Sequence, residues 1–222
     1  MIPISDINPR RKFPYITTSL IIINVIVFIY QSTLRNPELF IYKYALIPSN
    51  LFKLGGFEYI KLITSTFLHG NLFHLIGNML YLWIFGDNIE NSLGSFKYII
   101  FYFLVGIISG MTHALIYASS GIPTIGASGA IAGVLGAYFY LYPNAKVLAL
   151  VPIFYFFTII PVSAYLFLGI WFILQLIPGF VYFGKAGTGV AFWAHIGGFL
   201  GGIILVNLLG GRKKEIYYNY YK

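Results

Sequence analysis

The sequence predicts an all-α polytopic membrane protein, a single domain of six transmembrane helices. Hydrophobic residues make up 59% of the 222 residues, charged residues make up only 9%, and the mean hydropathy is +0.81. Such a composition lies far outside the range of soluble domains. Apolar windows of about 20 residues, the length that a helix needs to cross the hydrocarbon core, recur along the chain.

Six windows are predicted to form these helices, and they make residues 1–222 one membrane domain without a separate soluble domain. The windows lie near residues 15–33, 71–87, 96–117, 128–142, 161–179 and 190–210. The run 147–160 is also apolar and could lengthen the fifth helix, but Pro152 and Pro161 divide it. Because proline interrupts a helix, this run is predicted to be an interfacial segment that leads into the fifth helix.

The basic residues predict that both termini are cytoplasmic. An even number of crossings places the termini on one side, and Lys and Arg are concentrated on the cytoplasmic side of membrane proteins. The basic residues of the two ends are Arg10, Arg11, Lys12, Arg212, Lys213, Lys214 and Lys222. Membrane orientation thus explains the formal net charge of +8, and no nucleic-acid partner is predicted. A compact chain without a transit peptide predicts a bacterial or archaeal cell membrane.

The fourth predicted helix is short. It runs from Ser128 to the residue before Pro143, about 15 residues, which corresponds to roughly 22 Å. If it ends at the cytoplasmic face, it begins below the outer membrane surface, and the loop 118–127 before it lies at membrane depth. Backbone without helical hydrogen bonds is tolerated there only where protein buries it or water reaches it. The sequence therefore predicts a wet cavity, open to the outside, with Ser128 at its floor.

Ser128 and His195 are the candidate nucleophile and general base. A serine hydroxyl needs a base within hydrogen-bond reach, and the histidine proton moves near neutral pH. Ser128 begins a helix, where free backbone N–H groups and the helix dipole stabilise an oxyanion. Gly126 allows a tight turn just before it.

Small residues on the fourth and sixth predicted helices would let these helices approach closely. They recur every three or four residues, and His195 lies one turn from Gly198, on the face predicted to meet the fourth helix. The small residues are Gly129, Gly133 and Gly136 on the fourth helix and Ala194, Gly198 and Gly202 on the sixth. None of the six acidic residues lies in an apolar window beside either candidate, so a Ser-His dyad is predicted rather than a triad.

Three motifs resemble those of the rhomboid intramembrane serine proteases. The run GASGA at 126–130 is similar to the nucleophile motif GxSG of that family. The run AHIGG at 194–198, followed by Gly202, is similar to the family motif AHxxGxxxG. The run HGNLFHLIGN at 69–78 is similar to the paired histidines and HxxxN of the second helix. The resemblance implies the rhomboid fold, in its prokaryotic six-span form.

The resemblance also implies an activity and roles for site residues. Ser128 would be the nucleophile and His195 the base, and His74 and Asn78 would hold the oxyanion together with the Ser128 N–H. The substrates would be single-span membrane proteins cleaved within or near the lipid bilayer. No metal or other cofactor is implied, and the absence of cysteine excludes thiolate metal sites.

This chain departs from the family pattern at two places, and it carries two histidines outside the roles given above. Many members carry Trp-Arg in the first loop, where this chain has Ile60 and Lys61. Some members place an aromatic residue four positions after the nucleophile, where this chain has Ala132, so another group must hold the imidazole. His69 is predicted to be structural and near the membrane surface, and His113 to be a packing residue.

Two other functions fit part of the pattern. A transporter or channel also contains glycine-interrupted helices, short half-helices and intramembrane histidines, but this chain shows no internal repeat and few intramembrane charges. A non-catalytic rhomboid-like binding protein is the second alternative. Such relatives typically lack the serine or the histidine that this chain keeps.

Overall fold

The computed structural model describes residues 1–8, 12–153, 156–185 and 189–211, and these residues are mostly helical. Nine α-helices and two short 3-10 helices, Gly56–Ile60 and Ser65–Phe67, occur in these ranges. The α-helices are α1 (Tyr15–Thr33), α2 (Pro37–Tyr44), α3 (Pro48–Leu54), α4 (Lys61–Thr64), α5 (Leu72–Leu93), α6 (Ser95–Ile116), α7 (Ser128–Leu141), α8 (Ala164–Val181) and α9 (Phe192–Leu208).

Six of these helices, α1 and α5 to α9, occupy the six predicted windows. By length and composition, α1, α6 and α8 can each cross a membrane. The apolar helices α7 and α9 are shorter, with 14 and 17 residues. Helix α5 has 22 residues and carries Asp87 and Glu90 in its last turns.

The prediction of an all-α fold is wrong, because the chain also forms a three-stranded antiparallel sheet. Its strands are β1 (Ile2–Asp6), β2 (Lys146–Ile153) and β3 (Phe156–Ser163), in the order β1-β2-β3. Residues 147–153 and 156–160 therefore lie in two paired strands of this sheet, and they do not extend the fifth helix. That helix, predicted from 161, begins at Ala164 because Pro161 lies in β3 opposite Leu148. Proline is tolerated there because β3 is an edge strand.

Two polar contacts anchor the N-terminal segment to the helices. Tyr138 of α7 donates a hydrogen bond from Oη to Asp6 Oδ2 of β1 at 2.6 Å. The carboxylate of Glu90 accepts hydrogen bonds from Ile16 N at 3.0 Å and from Thr17 N at 2.8 Å, at the start of α1. The first N–H groups of a helix have no acceptors within the helix, so the Glu90 carboxylate supplies acceptors for them. Its negative charge also interacts favourably with the positive end of the helix dipole.

Residues 34–70, which the sequence presents as a long loop, contain α2, α3 and α4. A buried cluster of Leu46, Leu51 and Leu62 packs against Ala114 of α6. Lys61 forms an ion pair with Glu58 at 2.9 Å. This segment thus forms a packed layer beside α6.

Glycines bring α7 and α9 into backbone contact. A Cβ atom built on Gly198 would collide with the carbonyl oxygen of Gly129, and one built on Gly202 would collide with that of Gly133. In the same way, a Cβ atom on Gly136 would collide with the carbonyl oxygen of Phe199. Backbone atoms cannot rotate away as a side chain can, so these positions of the α7–α9 interface admit only glycine.

We expect Gly202→Ala to destabilise the protein by about 2 to 3 kcal/mol or more, because the added methyl group must separate the two helices. The matched control is Gly77→Ala in α5, where a Cβ atom would meet nothing within 4 Å. The control should be neutral or stabilising by up to about 1 kcal/mol, since alanine favours the helix. The measurement is the thermal unfolding midpoint in detergent. Equal midpoints for the two variants would contradict the proposed contact.

Candidate active site

Ser128 is the first residue of α7, and a turn held by hydrogen bonds leads into it. Gly126 has a φ of +118°, a conformation that favours glycine, and its N–H donates to Ser65 O at 2.9 Å. Further back, Leu46 and Thr124 exchange two backbone hydrogen bonds of 3.1 and 2.8 Å. The loop before Ser128 is therefore attached to the layer formed by residues 34–70.

His195 lies in the first turn of α9 and forms a hydrogen bond with Ser128. The distance from His195 Nε2 to Ser128 Oγ is 2.9 Å, although 67 positions separate the two residues in the chain. The contact follows from the backbone approach of α7 and α9, because both residues lie at the starts of these helices. A hydroxyl and an imidazole at this distance can transfer a proton.

The other nitrogen of His195 contacts a residue that the sequence reasoning missed. His195 Nδ1 lies 2.8 Å from Gln175 Oε1 of α8, and the His195 and Trp171 rings lie 5.9 Å apart. Gln175 is the one amide side chain of α8, and a polar side chain in a membrane helix usually contacts a neighbouring helix. The presence of this amide in an apolar helix therefore marks Gln175 as a candidate site residue. Trp171 provides an aromatic contact that Ala132 does not.

His74 and Asn78 reach the turn before Ser128. A Cβ atom built on Gly126 would lie 2.8 Å from His74 Nε2 and 3.7 Å from Asn78 Nδ2. Asn71 caps α5, because its Oδ1 accepts a hydrogen bond from His74 N at 2.8 Å. The cap and the i, i+4 spacing place His74 and Asn78 on the face of α5 that meets this turn.

The two remaining histidines support neighbouring residues. His69, predicted near the membrane surface, is fully buried within the protein, and its Nε2 lies 2.9 Å from Asn78 Nδ2. His113 Nε2 lies 3.0 Å from Thr124 Oγ1, so it contacts the loop that leads to Ser128. Both histidines thus hold groups around the site, and neither contacts Ser128 or His195 by a hydrogen bond within the described residues.

These groups line one open cavity of about 500 Å³. Ser128, His195, His74, Asn78 and Trp171 all contribute to its wall. A cavity of this size has room for several water molecules. Among the described residues, no carboxylate forms a hydrogen bond with His195. The site therefore offers a hydroxyl, an imidazole and neutral hydrogen-bond donors, which is a set suited to acyl transfer.

A helical bundle whose short, buried α7 presents a serine to a histidine of the adjacent helix defines a class of membrane proteins. This chain belongs to that class, the rhomboid family: the family model described as the Rhomboid domain matches residues 56–212. That range is 157 of the 222 residues. The chain is therefore a membrane protein of the rhomboid type.

Curated relatives come from mitochondria and from bacteria. Rhomboid protein 1, mitochondrial, of Saccharomyces cerevisiae is 41% identical over 98 residues, which are 41% of this chain and 28% of that protein. The presenilin-associated rhomboid-like protein, mitochondrial, of Mus musculus is 36% identical over 98 residues, 43% of this chain and 26% of that protein. Rhomboid protease GluP of Bacillus subtilis is 32% identical over 153 residues, 69% of this chain and 26% of that protein. The chain thus spans about a quarter of the length of these relatives.

Proposed function

We propose that this protein is an intramembrane serine endopeptidase that cleaves transmembrane helices with a Ser128–His195 dyad. The hydrogen bond of 2.9 Å between Ser128 Oγ and His195 Nε2, at the wall of an open cavity, carries the proposal. The relative named Rhomboid protease GluP is in accord with this activity. The departures at Ile60, Lys61 and Ala132 remove no reacting group.

In the proposed reaction, His195 Nε2 accepts the proton of Ser128 while Oγ attacks the carbonyl carbon of the scissile bond. The protonated imidazole then donates that proton to the leaving amine, and the C–N bond breaks. An acyl-enzyme remains on Ser128. A water molecule from the cavity loses a proton to His195 and attacks the ester, and the proton returns to Ser128 Oγ as the new carboxyl terminus leaves.

Three donors are proposed to hold the oxyanion. They are the backbone N–H of Ser128 at the start of α7, the ring of His74 and the amide of Asn78. The contact with His69 engages Asn78 Nδ2, and an amide nitrogen carries two protons, so the second stays available for the oxyanion. Donors fixed in advance at the site of developing charge are the largest source of rate in acyl transfer.

The proposed substrates are single-span membrane proteins in the lipid bilayer. A peptide bond inside a helix is shielded by its own hydrogen bonds, so residues that weaken the helix lower the free energy needed to expose it. By analogy with the family, a small residue would precede the scissile bond. An extended segment of this kind would fit the open cavity beside Ser128.

The proposed topology has six crossings with both termini on the cytoplasmic side of a bacterial or archaeal cell membrane. Helices α7 and α9 are short, with 14 and 17 residues, and would cross inside the bundle. They would lie side by side there, because they pack through backbone atoms. The segment 34–70 would then lie on the outer side. The curated relatives come from more than one kind of membrane, and the proposed orientation of the termini rests on the charge pattern of this chain.

The dyad is tested by cleavage of a model single-span substrate by the purified protein in liposomes. We expect wild type to release product and Ser128→Ala and His195→Ala to release none, because each removes a group that transfers the proton. Ser32→Ala, at an exposed position of α1, is the matched control and should remain active. Product from Ser128→Ala, or near-normal product from His195→Ala, would reject the dyad. Binding of partners without any cleavage by wild type would favour a non-catalytic role.

Asn78→Ala should lower kcat by roughly 10- to 1,000-fold if the amide is an oxyanion donor. KM should change little, because the interaction forms in the transition state. The control is the thermal unfolding midpoint, since the variant also removes the contact between Asn78 and His69. A lower midpoint with an unchanged kcat of the folded fraction would make Asn78 a purely structural residue.

Topology can be tested by cysteine labelling without removing any background, because the chain contains no cysteine. We expect Phe57→Cys, at a side chain that is 92% exposed, to react with a membrane-impermeant maleimide added to intact cells. Lys12→Cys, also exposed, should react only after the membrane is made permeable. The reverse pattern would invert the proposed orientation, and labelling of both positions in intact cells would reject a crossing by α1.

A further inference from the structure

The amide of Gln175 has only one orientation that satisfies both of its neighbours. Gln175 Nε2 lies 3.4 Å from the carbonyl oxygen of Trp171, one turn earlier in α8. Gln175 Oε1 lies 2.8 Å from His195 Nδ1. A carbonyl oxygen only accepts hydrogen bonds, so the NH₂ group must face Trp171 and the amide oxygen must face His195.

This orientation determines where the proton of His195 lies. Because Gln175 Oε1 can only accept, His195 Nδ1 must carry the proton in the neutral imidazole. The lone pair of His195 Nε2 then faces Ser128 Oγ, 2.9 Å away. Nε2 is therefore in the form that accepts the hydroxyl proton.

We propose that Gln175 is a positioning residue that fixes the tautomer and the ring orientation of His195, at the place where a triad enzyme carries a carboxylate. The inference rests on the proposed protease function and deepens it. The Trp171 carbonyl orients the Gln175 amide, and the amide oxygen accepts a hydrogen bond from His195 Nδ1. His195 Nε2 is then left to accept a hydrogen bond from Ser128.

The opposite amide orientation shows what this arrangement prevents. An NH₂ group facing Nδ1 would force the proton onto Nε2, which could then no longer accept the proton of Ser128. Replacement of the triad aspartate by asparagine in a serine protease lowers kcat about 10⁴-fold because it produces this wrong tautomer. In this protein the flipped amide would set its oxygen against the Trp171 carbonyl oxygen, which disfavours that orientation, so an amide can serve where it otherwise fails.

Trp171 holds the imidazole from a second direction. Its ring lies 5.9 Å from the His195 ring at an interplanar angle of 39°, and it also contacts Phe199 of α9 at 6.1 Å. One turn of α8 thus supplies an aromatic ring and an oriented amide to the same histidine. Together they restrict rotation of the imidazole about its side-chain bonds, which keeps Nε2 directed at Ser128.

The kinetic test compares Gln175→Leu, Gln175→Glu and wild type in cleavage of a model single-span substrate. Leu174→Met, at an exposed neighbouring position of α8, is the matched control and should behave as wild type. We expect Gln175→Leu to lower kcat roughly 10- to 100-fold with little change in KM, because the imidazole is no longer oriented. Gln175→Glu should recover most of the lost rate. It should also move the acidic limb of the kcat/KM profile to higher pH, because a carboxylate stabilises the imidazolium.

A purely structural role would give another result. Gln175→Leu and Gln175→Glu would then lose activity in proportion to a fall in the thermal unfolding midpoint, and the pH profile would not move. That outcome, or a Gln175→Leu variant with the kcat and pH profile of wild type, would overturn the inference while wild-type cleavage upheld the protease function. A wild type that neither cleaves substrate nor reacts with a fluorophosphonate probe would overturn the protease function and the inference together.

The tautomer can also be measured without any activity. In protein labelled with ¹⁵N-histidine, the His195 signals are assigned by their loss in His195→Ala. We expect the wild-type spectrum at neutral pH to show a protonated Nδ1 and an unprotonated Nε2, and Gln175→Leu to show a mixture of both tautomers. Protonated Nε2 in wild type would overturn the inference even if cleavage were observed.

Discussion

The backbone contact between α7 and α9 is the constraint on which the site depends. Ser128 and His195 lie at the starts of these two helices, so their separation of 2.9 Å is set by how closely the helices pack. Gly198 and Gly202 meet the carbonyl oxygens of Gly129 and Gly133, which leaves no room for a side chain between the helices. In a bilayer such packing replaces the hydrophobic effect as the force between helices, because lipid tails are as apolar as the side chains. The same glycines therefore support both the bundle and the contact between Ser128 and His195.

A second constraint holds the turn that leads to Ser128. Backbone at this point lacks helical partners, and the protein satisfies it through Ser65 and through the pairing of Leu46 with Thr124. His113 adds a side-chain contact to Thr124 at 3.0 Å. The segment 34–70 thus supports the loop of the site through α6 and through this pairing, although it contributes no reacting group. It keeps the free N–H groups at the start of α7 in a fixed place.

The sequence predicts those features that depend on local residue patterns. Prediction fails where a local pattern fits more than one structure, and where a feature depends on contacts between separate elements. Apolar windows predicted the six helices, and a serine and a histidine among small residues of two separate windows predicted Ser128 and His195 as a candidate pair. The two strands were missed because residues 147–153 and 156–160 are apolar at nearly every position, so the alternation that marks a half-buried strand is absent. The burial of His69 and the contact of Gln175 with His195 depend on how separate helices meet. The spacing of residues within one helix does not predict contacts between helices. The single amide side chain of α8, Gln175, nevertheless indicates a polar contact with a neighbouring helix.

A neutral amide beside His195 also suits the surroundings of the site. An ionised carboxylate in an apolar environment carries a large desolvation penalty unless it is fully hydrogen-bonded. A glutamine avoids that penalty and keeps the geometric part of the role, because orientation needs an acceptor and not a charge. The cost falls on the imidazolium, which gains less stabilisation from an amide than from a carboxylate. In the proposed reaction, the proposed oxyanion donors would then supply a larger share of the rate enhancement. Three donors are proposed around the turn at Gly126: two side chains and a helix N-terminus. This number is in accord with a site that stabilises the oxyanion more than the imidazolium.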